Sequence, residues 1–185
     1  MSPQRLLNLC IVFFIVLVVP ILVYHYLIES KTPAPARNQT ASVIKRSDFG
    51  LTVSEFQKAY EGLVSENAVP ALHVSEVYSK NANETYFYTS DTVALEIETT
   101  GEKIHSVTVF GESSRGSSER KVIERVTLAY IFTIATLNPE WSRADCGAIT
   151  NRLSENLKSS SVSRDGVTYS TRFYNGILML SAKTN

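Results

Sequence analysis

Cysteine is nearly absent: Cys10 lies inside an apolar run and Cys146 in the domain beyond it. That pair can build neither a disulfide framework nor a cysteine-ligated zinc site. Histidine is almost as scarce, with three in the chain, which leaves little for a Ser-His or Cys-His nucleophile pair. The glycines and serines of 111–118 lack the Gly-Lys-Ser/Thr ending of a phosphate loop and read as a connector. There is also no excess of either charge, the formal net charge being 0.

That zero hides an asymmetry. In residues 1–47, Arg5, Lys31, Arg37, Lys45 and Arg46 stand against Glu29, a net +4; the remainder holds thirteen basic and seventeen acidic residues, a net −4. An acidic domain is a poor partner for nucleic acid, whose phosphates need Lys and Arg to neutralise them. Lys31, Arg37, Lys45 and Arg46 instead sit where anionic lipid would attract them by roughly 1 kcal/mol each.

What the chain does have is one long hydrophobic run. Leu6 to Ile28 carries no charged side chain; as a helix it would extend roughly 34 Å, enough for a hydrocarbon core of roughly 30 Å. Tyr24, His25 and Tyr26 fit the interfacial belt that closes such a span. The expectation is a single-pass transmembrane helix over 6–28 within an anchor of residues 1–28. A cleaved signal peptide fits less well, because its apolar region is shorter and the only Ala-x-Ala, Ala34-Pro35-Ala36, lies far beyond the run. Lipid attachment at Cys10 is disfavoured by the bulky residues before it. Orientation stays open. Counting Lys and Arg on either side favours a cytoplasmic domain, whereas a short basic start, an apolar run and a Pro/Ala spacer resemble a signal anchor that exports its C-terminal part. The sequons at Asn38 and Asn83 do not decide between them.

Residues 29–47, with Pro33 and Pro35, read as a flexible linker. Residues 48–185 are of ordinary size for one domain. Thr52-x-x-Glu55 is a capping box ahead of Phe56, Ala59, Tyr60 and Leu63, which predicts a helix over 52–65. Short β-rich runs come next at 71–78, 84–89, 92–98 and 103–110. A helix over 119–137 stops before Pro139; its second half is apolar nearly all round, so a buried strand is the alternative there. The expectation is a central helix laid across the sheet and covered on its far side by the next one, which Ser142 and Asp145 cap and which runs to about Leu157. Asn175-Gly176 between 167–174 and 177–183 is a two-residue hairpin turn that pairs Tyr174 with Ile177. One face of that hairpin then holds Tyr169, Thr171, Phe173, Leu178, Leu180 and Ala182, and the other Arg172, Tyr174, Ile177 and Met179. The fold class is α+β, with an antiparallel sheet of about six strands and three helices in the order α-β-β-β-β-α-α-β-β.

No set of residues here assembles a catalytic or metal-binding constellation, and no cofactor is expected. His73 on the first strand, and His105 on the fourth beside Val107 and Val109, read as packing residues. Cys146 reads as a small buried hydrophobe, and Glu96 and Glu98 as a solvated strand face. What remains is an open sheet face bearing Tyr86, Tyr88, Arg172, Tyr174, Ile177 and Met179, residue types enriched at protein contacts. The expected function is a non-enzymatic, membrane-tethered interaction module, displayed on the outer side of a bacterial-type inner membrane as an accessory of an envelope complex or an immunity or inhibitor protein. It would meet the membrane through residues 6–28 and a protein partner through that face. The alternatives are a membrane-anchored enzyme whose Glu and His meet only in the fold, and a cytoplasm-facing tethered regulator.

Overall fold

The computed structural model describes residues 46–89, 92–112 and 119–185. The expected transmembrane helix, with Lys31, Arg37 and Lys45, lies outside the described residues. Among those described, no helix is long and apolar enough to cross a membrane.

The domain is α+β. Helix α1, Val53–Glu66, starts at the Thr52/Glu55 capping box: Glu55 N–H donates to Thr52 Oγ1 at 3.3 Å and Thr52 N–H to Glu55 Oε2 at 2.8 Å. A short 3₁₀ turn, Pro70–Leu72, leads into strands β1 (Val74–Asn81), β2 (Glu84–Thr89), β3 (Val93–Thr100) and β4 (Lys103–Glu112). Helices α2 (Glu119–Leu137) and α3 (Arg143–Ser154) come next, then strands β5 (Ser159–Arg164), β6 (Val167–Tyr174) and β7 (Ile177–Thr184). All seven strands form one sheet in the order β1-β2-β3-β4-β7-β6-β5, and every neighbouring pair is antiparallel.

Three expectations are corrected. The sheet has seven strands rather than about six, because Ser159–Arg164 pairs with β6 through a tight turn at Asp165-Gly166, both at positive φ (52° and 76°). The first strand begins at Val74 instead of residue 71: Pro70 opens the 3₁₀ turn, and its carbonyl accepts the N–H of His73 at 3.2 Å. The third helix does not cover the second. Instead α1 and α3 flank α2 on the same face of the sheet, α1 setting Phe56 against Phe87 of β2 and α3 packing on β5 and β6.

The core lies between this helical layer and one side of the sheet. Phe87, Leu95, Ile97, Val107, Val109, Leu180, Ala182 and Tyr169 point into it and meet Phe56, Tyr60, Val126, Tyr130, Ile134 and Leu137, all buried. The apolar half of 119–137 is therefore a core helix. Two buried phenols tie the layers together: Tyr130 of α2 donates to the Ser181 carbonyl of β7 at 2.6 Å, and Tyr169 of β6 accepts from Asn138 Nδ2, just past α2, at 3.1 Å. Burial pushes the Tyr169 hydroxyl up to about 12 and that of Tyr130 well above its ordinary range, so both stay neutral.

Candidate partner-binding face

Side chains alternate across a strand, so the register fixes what the other face carries. Among the described residues, no helix packs on that side. Three rows cross it. The first runs Glu76, Tyr88, Ala94, Phe110, Met179, Arg172, Ser159 from β1 to β5. The second runs Tyr78, Tyr86, Glu96, Thr108, Ser181, Ser170, Ser161. The third runs Glu84, Glu98, Ser106, Lys183, Thr168, Ser163 over β2 to β5. Beyond the first row, Glu112, Ile177 and Tyr174 form a shorter fourth.

The face is divided by chemistry. On β1 and β2, Tyr78, Tyr86 and Tyr88 form an aromatic ladder with ring centroids 6.3 Å apart at each step. Tyr86 Oη lies 2.5 Å from Glu84 Oε1 and 2.8 Å from Glu96 Oε1, and Lys80 Nζ donates to Glu84 Oε1 at 2.8 Å. The Lys80 ammonium, aided by the Tyr86 hydroxyl, lowers the Glu84 carboxyl to about 2, and the two carboxylates hold the Tyr86 hydroxyl well above its usual range. Glu76, Glu96 and Glu98 add further negative charge to this half. On β5 to β7 the same face carries Arg172 and Lys183 and no acid. Between them a trough of about 620 Å³ is lined by Glu96, Thr108, Ser161, Ser170, Arg172 and Met179 among others, and Ser170 and Ser181 hydroxyls bond across it at 2.8 Å.

The register sets Tyr86, Tyr88, Arg172 and Met179 on this one face, with Tyr174 and Ile177 at its end. Tyr174 is 66% exposed. Tyr78, 51% exposed, belongs to the same ladder, although the sequence expectation did not include it. Asn81, Ala82 and Asn83 ahead of Glu84 are the turn signal that extends the first strand and places Tyr78 opposite Tyr86. Phe110, which joins the two halves, is legible only once β7 is known to pair with β4.

Other expected features lie elsewhere. His73 sits ahead of β1, not on it, with Nδ1 against Glu61 Oε2, while Val74 N–H donates to Glu61 Oε1 at 2.6 Å. His105 does not share the core face with Val107 and Val109: a bulge opposite Glu98 and Thr99 puts Ile104 in the core and His105 beside Glu98 Oε2 (3.6 Å) and Thr100 Oγ1 (3.2 Å). Cys146 is buried in α3, where burial raises its thiol. Arg46 is drawn into the domain, its guanidinium donating to the carbonyls of Asp48 (3.0 Å) and Phe49 (3.3 Å) and to Asn138 Oδ1 (3.3 Å). Among the described residues, no group of three or more His, Cys, Asp and Glu could hold a metal ion.

No protein-family model, no curated protein and no solved structure matches the chain.

Proposed function

We propose that this chain is a membrane-tethered, non-enzymatic interaction module, with residues 6–28 as the anchor and the bare sheet face as the docking surface for a protein partner at the same membrane. The observation that carries the reading is the composition of that face. Tyr78, Tyr86, Tyr88, Phe110, Met179, Tyr174 and Arg172 share one side of a sheet whose other side holds the whole core. Aromatic, Met and Arg side chains bury much area while keeping a polar or adaptable end. An anchor adds to this by confining the module near a membrane partner and raising its effective concentration.

In its fuller form the reading places the domain on the outer side of a bacterial-type inner membrane, as an accessory subunit of an envelope assembly or as an immunity or inhibitor protein. The full chain, purified from detergent-solubilised membranes, should retain a protein partner that a Tyr174→Ser/Met179→Ser variant loses while keeping its circular dichroism. Undiminished recovery of the partner with that variant would remove the face from consideration.

A further inference from the structure

We infer that the bare face docks on the same face of a second copy of this chain, with a two-fold axis parallel to the strands and above β4. This rests on the reading of the face as a protein-docking surface and names its occupant. Strand β4 is the middle of the seven, so such an axis lays β3 over the partner copy's β7 and β2 over its β6, at equal heights.

The first and third rows then meet as complements. Glu98 of β3 faces the second copy's Lys183 across the interface, since both belong to the row through Ser106. Tyr88 faces Arg172, both in the row through Phe110; a guanidinium over a tyrosine ring is a favourable cation–π pair. Ala94 faces Met179, and Phe110 on the axis meets its own copy, which gives the contact an apolar centre with charge at its margins. Each pair off the axis occurs twice, as an isologous contact requires.

The competing axis, across the strands, stacks β3 on β3 and β2 on β2, so that Glu96 confronts its own copy when the axis runs along the second row, and Glu84 and Glu98 confront theirs when it runs along the third. Like charges brought face to face cost several kcal/mol. The strand-parallel axis also carries Ser47, bonded to Thr184 through its carbonyl at 3.1 Å, at the same end of the sandwich in both copies. That arrangement suits two chains anchored in one bilayer.

The area suffices. Five to seven strands spaced about 4.8 Å apart and about 26 Å long offer roughly 620–870 Å² per copy, within the roughly 600–1,000 Å² per partner of a standard interface. The right-handed twist of each sheet opens the corners, so contact concentrates on β2, β3, β4, β7 and β6, where the complementary residues lie.

The experiment is co-purification of two differently tagged full-length chains, coexpressed and extracted in mild detergent, with sedimentation to count copies. Lys183→Glu should lower the association constant by at least about tenfold by facing Glu98 with a second carboxylate. Glu98→Lys should do the same, and the double exchange should restore association to within a few-fold of wild type. Phe110→Arg should abolish it. A wild-type chain that stays monomeric, or a double exchange no better than the singles, overturns the inference. If the wild type is monomeric while Tyr174→Ser/Met179→Ser still strips a different protein from it, the docking face stands and the second copy is the wrong occupant.

Discussion

A methyl group at position 111 would sit 2.6 Å from Val126 Cγ2 and 3.1 Å from the Thr92 carbonyl oxygen. Gly111 therefore lets α2 approach β4 more closely than any other residue would, and Gly111→Ala should cost about 1–3 kcal/mol by overpacking, seen as a lowered denaturation midpoint. Glu84 supplies a second prediction at this scale. Its carboxyl is held near 2 by the Lys80 ammonium and the Tyr86 hydroxyl, against an ordinary 4.5. A depressed carboxyl stabilises the fold above its unfolded value, and that contribution fades as pH falls from about 4.5 toward 2. Titration of stability over this window should show a decline that is smaller in Glu84→Gln, since Asp48, Glu55 and Asp145 are depressed as well. His105 shows where single residues stop being informative. Its alternation with Val107 and Val109 is regular in sequence, and only the extra residue opposite Glu98, a matter of cross-strand hydrogen bonding, turns it out of the core.

At the scale of elements, legibility tracks local chemistry. The starts of α1 and α3 are readable because Thr52/Glu55 and Ser142/Asp145 each form both bonds of a capping box, whereas α3 ends at Ser154, three residues short of the expected Leu157. Thr52→Ala removes one of those boxes and should cost about 1 kcal/mol, measurable as a shift in thermal midpoint. The terminal hairpin is readable because Asn175 and Gly176 adopt the positive φ (51° and 78°) that their sequence favours. Strand β5 is not, because Val162 is its only apolar residue and its serines resemble a loop; its position at the sheet edge requires little more. The Asp165-Gly166 pair is the available signal. The layer arrangement of the helices is hidden for a different reason: α2 is apolar on nearly every side, and which neighbour covers which side depends on strands far along the chain.

For the whole molecule, the bare face is foreseeable only in halves. Alternation groups Tyr86 with Tyr88 on one side of β2, and Arg172 with Met179 on one side of the terminal hairpin, but that they form one surface depends on β4 pairing with β7. The proposed anchor makes its own prediction: the chain should stay with membranes through an alkaline carbonate wash and appear in the pellet at full length. Release into the supernatant, or a mature chain starting near Arg37, would dispose of the tether. A C-terminal reporter active on one side of the bilayer should report the outer side; activity in the cytoplasm would leave the docking face in place and move its partner indoors.

The sheet consists of two runs of hairpins, 74–112 and 159–184, joined edge to edge by one pairing between residues more than sixty apart in sequence. Each run can form from near neighbours, whereas the join must close a long loop first and is correspondingly slow. Folding should therefore wait on the meeting of the two runs, with α2, which touches both β4 and β7, as the part that holds them once they have met.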